Sequence, residues 1–173
     1  NAMDCFEKVK TEALQFHLYD NYFRSITCLL RIHAERLDFD KHASLLREVM
    51  QVGGSLTSYR RYLPKLNYNQ AVAAVYRRDF EEAKSQFEQA KAYLVELVAD
   101  PSFSVKENED LRRDLLLVRY SLAIHERDTN NVGLALKMVE DLLKEIDDYT
   151  HGPNALEHVQ LYDVEAGLFI LRG

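Results

Sequence analysis

Apolar residues return along this chain every three or four positions, the period of a helix that turns one face inward. The clearest run is Phe80, Ala83, Phe87, Ala90, Leu94 and Leu97, with steps of 3, 4, 3, 4 and 3. Val132, Ala135, Val139, Leu142, Ile146 and Tyr149 repeat those steps, each residue 52 positions further on. A stripe of this kind predicts an amphipathic helix and nothing more. Small residues at matching points turn it into an argument for repetition, because two helices approach closely only where side chains are small. Ala83 and Ala135 hold the same place in their stripes, and Ala71 and Ala123 each lie twelve residues earlier.

The spacing predicts a third copy near the start, through Ala13, Phe16, Tyr22, Ser25, Leu29 and Ile32. Ser25 follows Ala13 by twelve residues, Tyr22 takes the place of Phe80, and Arg36 falls where an apolar residue is expected. Pro64, Pro101 and Pro153 are read as helix starts, since a first helical turn has no use for the N–H that proline lacks. Residues 38–63 carry no repeat motif. They predict a helix from Asp40 to Met50, a break at Gly53-Gly54, and a short helix over Leu56 to Leu63. The long interval between Leu97 and Val132 is assigned to a loop over Asp100–Ser104 and a helix extended from about Glu107. Residues 154–172 predict one more apolar helix, with Leu156, Val159, Tyr162, Ala166, Phe169 and Ile170 on its face.

The run Asp79-Phe80-Glu81-Glu82-Ala83, followed by Phe87 and Ala90, resembles the tetratricopeptide (TPR) repeat. The resemblance covers 64–97 well, 116–149 less well, 6–37 loosely and 38–63 poorly. It implies an all-α fold, a TPR-like antiparallel helix-hairpin solenoid of about seven to nine helices built from pairs of about 34 residues. It also implies work as a holder of other proteins or peptides. Residues 3–173 are read as a single repeat domain, with Asn1-Ala2 as a tag scar. A solenoid end needs a polar cap, and Leu168-Phe169-Ile170-Leu171 is not polar. The expectation is therefore that the native chain continues past Gly173 into a fused output domain. Otherwise the terminal helix is a docking surface, for a partner or for a second copy in a homodimer.

Composition narrows the function classes. Among 173 residues, 47% are hydrophobic, Trp is absent, and there are only 6 Gly and 3 Pro. That balance favours helices over a turn-rich β fold. A net charge of −6 argues against a nucleic-acid backbone as partner. The pairs Arg60-Arg61, Arg77-Arg78 and Arg112-Arg113 are read as solvated helix faces. Cys5 and Cys28 have neither metal-ligand nor disulfide-framework spacing, and with no membrane span or signal peptide legible the expected location is the cytoplasm.

Catalytic and metal chemistry finds little footing. None of the six histidines pairs at i and i+4 in a zinc-binding pattern. No Gly-x-Ser-x-Gly elbow occurs, and Gly53-Gly54-Ser55 lacks the rest of a phosphate loop. The expectation is no metal, no cofactor and no enzyme; a helical enzyme assembled only in three dimensions is the distant alternative.

Ten tyrosines suit either core packing or an aromatic-lined groove. In the TPR family the first helix of each pair lines the concave side. That resemblance selects Lys65, Tyr68, Asn69, Val72 and Tyr76 on the helix near 66–78, Lys10 and His17 earlier, and Tyr120 and Ile124 later. Lys65 and Asn69 lie four apart, and the resemblance implies that they hold a carboxylate, as Lys and Asn side chains do in the TPR proteins that clamp a peptide's C-terminus. The expected function is a protein- or peptide-binding module, the sensory or docking part of a cytoplasmic signalling or regulatory protein. The alternative is a stand-alone scaffold subunit of a multiprotein complex.

Overall fold

The computed structural model describes residues 2–54 and 56–151. The helix expected over 154–172 lies outside them. The described residues form seven α-helices: α1 (Ala2–Gln15), α2 (Tyr19–Glu35), α3 (Phe39–Gly53), α4 (Leu63–Arg77), α5 (Phe80–Val98), α6 (Val105–Asp128) and α7 (Val132–His151). A 3-10 helix, Thr57–Tyr62, leads into α4. No strand occurs among the described residues, so the all-α expectation holds. The chain divides into two compact units, Asn1–Ala90 and Lys91–Gly173, described separately below.

The helix starts follow from local chemistry. Asp38 accepts from the Lys41 amide at 3.4 Å and caps α3, and Asp79 accepts from the Glu82 amide at 3.2 Å to cap α5 in the same way. Ser104 and Glu107 form a capping box at the start of α6, worth about 1 kcal/mol. Pro64 sits in the first turn of α4 as expected. Pro101 does not start a helix; it lies in the turn before Ser104, where the capping box wins the boundary.

Four helix corners are built alike. Each places one residue in the left-handed region: His17 (φ 57°), Leu37 (φ 59°), Arg78 (φ 62°) and Asn130 (φ 67°). The next N–H then reaches the carbonyl five residues back. Leu18 bonds Ala13 at 2.8 Å, Asp38 bonds His33 at 2.9 Å, Asp79 bonds Ala74 at 2.9 Å, and Asn131 bonds Glu126 at 2.7 Å. This is the capping geometry that usually recruits glycine. Three of the four corners manage it with His, Leu or Arg.

These bonds set the repeat register. Ala74 and Ala83 flank the α4–α5 corner, and their counterparts are Glu126 and Ala135, His33 and His42, and Ala13 and Tyr22. The offset of 52 between the α4–α5 and α6–α7 hairpins therefore stands. The N-terminal copy is three residues out of the expected register. Tyr22, not Ser25, matches Ala83, and Phe16 is 65% exposed. Ser25 mimicked the small residue by lying twelve after Ala13. In the fold Tyr22 is tolerated because Ala13, its partner across the corner, is small. The two long stripes are buried from their second positions onward through Leu97 and Ile146, while Phe80 and Val132 stay 40% and 49% exposed beside the corners.

The first unit centres on α2, which packs against α1, α3 and α4. Phe23 is wholly buried and stacks on Tyr62 at 4.8 Å, with Tyr22 edge-on at 5.4 Å and Tyr59 at 5.7 Å. Leu45, Val49 and Leu66 close the same core. Aromatic groupings of this kind add stability beyond the area they bury. Asn67 donates to Gln89 at 2.9 Å, and Tyr68 lies 5.6 Å from Phe87, which joins α4 to α5. In the second unit Leu116 and Ala123 of α6 meet Val139, Leu142 and Ile146 of α7. Arg119, 52 residues after Asn67, clasps Glu145 across that hairpin.

Candidate functional site

Four contacts fix the direction of α4 along α2. Tyr62, at the foot of α4, donates to Asp20 at 3.1 Å and stacks on Phe23. Lys65 lies within electrostatic reach of Cys28, and Arg31 donates to the Tyr68 hydroxyl. Positions on both helices rise together, so α2 and α4 run parallel. Each leaves one stripe partly open, Arg24, Thr27, Cys28 and Arg31 on α2, and Lys65, Tyr68, Val72 and Tyr76 on α4. Those two stripes form the candidate site, a seam along the first unit.

The seam is rich in cations and aromatic rings. It carries Arg24, Arg31 and Lys65 beside the rings of Tyr68 and Tyr76. Arg24 donates to Tyr62, and the Arg31 Nε donates to Glu35 at 2.6 Å. Burial pushes the Cys28 thiol above its usual pKa, and the nearby Lys65 only partly opposes that. Cys28 is therefore a neutral thiol at pH 7, not an activated nucleophile. The Tyr62 hydroxyl is likewise pushed up, first by burial and then by the Asp20 charge.

The expected site residues fall into three groups. Lys65, Tyr68, Val72 and Tyr76 share the α4 stripe, with Lys65 and Tyr76 exposed and the other two half-buried. Asn69 is buried, donates its amide to the Lys65 carbonyl at 2.8 Å, and offers its own backbone carbonyl to His42. It faces inward, so the Lys65–Asn69 pair presents one polar head to solvent instead of two.

Lys10 and His17 belong to α1 and its corner. Lys10 bonds Glu7 at 3.1 Å and reaches α3 through Glu48 at 3.2 Å. Burial alone would lower the pKa of its ammonium, but those two carboxylates outweigh it and hold the value above the usual one. His17 is exposed, with Nδ1 3.1 Å from the Tyr19 hydroxyl. Tyr120 and Ile124 are half-buried on α6, where Tyr120 packs against the core of the second unit.

Arg24, Cys28 and Arg31 were not expected at the site. A signal for them exists in the sequence: Arg36-Leu37-Asp38-Phe39-Asp40 is matched 41 residues on by Arg77-Arg78-Asp79-Phe80-Glu81. That match aligns α2 with α4 and makes Thr27, Cys28 and Arg31 the counterparts of Tyr68, Asn69 and Val72. The block over 38–63 hides it, because only the corner repeats while the helix after it ends early at Gly53.

Comparison with family models, curated proteins and solved structures returns no match. Among the described residues no group of three or more His, Cys, Asp or Glu is placed to hold a metal ion, and no helix is long and apolar enough to cross a membrane.

Proposed function

We propose that this chain is a non-enzymatic, TPR-like module that binds a protein or peptide segment along the α2–α4 seam, as the sensory or docking part of a cytoplasmic signalling or regulatory protein. The observation that carries the reading is the pairing of two parallel helices whose open stripes combine cations with an anchored aromatic ring. Tyr68 is held by the tilted Phe87 ring 5.6 Å away and by Arg31 at its hydroxyl. A ring fixed in advance loses little entropy when a ligand covers it, which is why tyrosine and arginine recur at binding hot spots. Arg24, Arg31 and Lys65 along the same line suit a segment that carries carboxylates beside an apolar anchor.

The test is selection of binders from a random peptide library displayed on phage, with affinities then measured by fluorescence polarisation. Selected peptides should combine Asp or Glu with an apolar or aromatic residue. Lys65→Glu, which alters an exposed side chain, should weaken them at least tenfold with helix content unchanged. Failure to select any sequence family, or binding indifferent to Lys65→Glu, would remove the seam from consideration.

A further inference from the structure

Crossing positions beside a helix corner favour small apolar residues, and Ala74 and Ala83 fill both at α4–α5 with no exposure. At the α2–α3 corner the same two positions carry His33 and His42, which are 3% and 2% exposed. Alanine would satisfy the packing there, as it does at the other corner. Two buried imidazoles need a different explanation.

Their surroundings are uneven. His33 Nδ1 lies 3.5 Å from Asp38 Oδ2, an ion-pair separation without a formed hydrogen bond, and Asp38 is in turn 3.2 Å from Lys41 Nζ. His42 donates to the Asn69 carbonyl of α4, while its Nε2 is buried with no hydrogen-bond partner among the described residues. The charged groups that act on His42 are Arg77 of α4 and His33 of α2. Arg77 also lies over the Phe39 ring at 5.5 Å, so it is held at the start of α3. A positive charge on His33 would face a carboxylate. One on His42 would face cations, away from water.

We propose that His42 is an acid-sensitive latch at the α2–α3 corner, which holds the first turns of α3 against α4 at neutral pH and releases them in mild acid. This goes beyond the binding reading and stands without it. Burial first, then Arg77 and His33, push the His42 pKa down from 6.5 to about 4, against the opposing bond to Asn69. Once α3 lifts, His42 regains an ordinary pKa and takes up a proton, so acid favours the open form. By linkage the opening constant rises about tenfold between pH 7.5 and pH 5.5. The far end of α3 stays attached through Glu48, which Lys10 and Tyr22 hold, so the release is confined to the corner end.

Hydrogen exchange by mass spectrometry on the full chain tests this, with intrinsic rates corrected at each pH and residues 80–90 of α5 as the internal reference. Amides 39–46 should open about tenfold more at pH 5.5 than at pH 7.5, relative to α5. His42→Ala installs the residue found at Ala83, and His42→Gln keeps an N–H for Asn69 without a titrating ring; each should abolish the pH response. An unchanged opening constant, a change shared by α5, or the same response in a folded variant would overturn the latch. Should neither variant fold, an NMR titration of the wild-type imidazoles decides: His42 must stay neutral at pH 5 in the closed form, and ordinary titration with unaltered exchange refutes the proposal.

Discussion

Glu48 of α3 joins two other helices at once: one oxygen lies 3.2 Å from Lys10 Nζ of α1, and the other accepts from the Tyr22 hydroxyl of α2 at 3.2 Å. Burial, followed by the Glu48 charge, raises the Tyr22 pKa well above its usual value, so the phenol remains a donor across the physiological range. Tyr22→Phe removes that donor and keeps the ring. The expected loss is about 1 kcal/mol in urea unfolding. Lys10→Ala should lose less, because Glu48 is partly solvated and surface ion pairs contribute little. An unchanged midpoint for Lys10→Ala would show that α1 is held by apolar packing alone, and one for Tyr22→Phe that the bond from α2 to α3 adds nothing.

Gly53 ends α3 beneath the Tyr59 ring, and a Cβ there would fall inside the van der Waals envelope of that ring. Tyr59 also packs against Phe23, so it has little room to withdraw. Gly53→Ala should destabilise the protein by roughly 1–3 kcal/mol, although alanine is the better helix former. A gain in thermal midpoint would mean that Tyr59 moves freely.

Leu37 is an exposed leucine in the left-handed region, at φ 59°. An L side chain there stores about 1–2 kcal/mol of strain. Part of the relief offered by glycine is offset by its freedom in the unfolded chain. Leu37→Gly should therefore stabilise by about 0.5–1 kcal/mol, which is opposite in sign to Gly53→Ala. Differential scanning calorimetry of the two variants side by side checks both signs.

Acid should weaken the fold over a defined window. His42 has its folded-state pKa depressed from 6.5 to about 4, so well above pH 6.5 neither state is protonated and stability is at its full value. As pH falls from 6.5 towards 4, the unfolded chain takes up a proton that the folded chain refuses, and stability drops. Between pH 7.5 and pH 5 the loss is roughly 2 kcal/mol. His42→Gln should flatten that part of the urea-midpoint profile. A profile identical to wild type would assign the acid sensitivity to other groups.

Much of this architecture was legible because burial is periodic. The stripes from Ala83 to Leu97 and from Ala135 to Ile146 name the buried face of α5 and α7 without any knowledge of their partners. Register at the N-terminus was not legible from residue size, since large Tyr22 sits where Ala83 is small and only the backbone bond from Leu18 to Ala13 reveals the match. The site was half legible. Lys65, Tyr68, Val72 and Tyr76 follow from helical spacing on α4, whereas their neighbours Arg24, Cys28 and Arg31 depend on which helix lies beside α4. Periodicity on one helix cannot report that. Asn69 misled for a related reason: a polar side chain at i+4 from an exposed lysine reads as surface, yet its amide turns back onto the Lys65 carbonyl.

The central claim is that α2 and α4 together hold a ligand, and amide chemical-shift mapping with a phage-selected peptide tests it most directly. Perturbations concentrated at 24–35 of α2 and 63–76 of α4, and lost with Lys65→Glu, are the predicted result. Perturbations confined to other helices, or unaffected by that substitution, would contradict the seam as the binding surface.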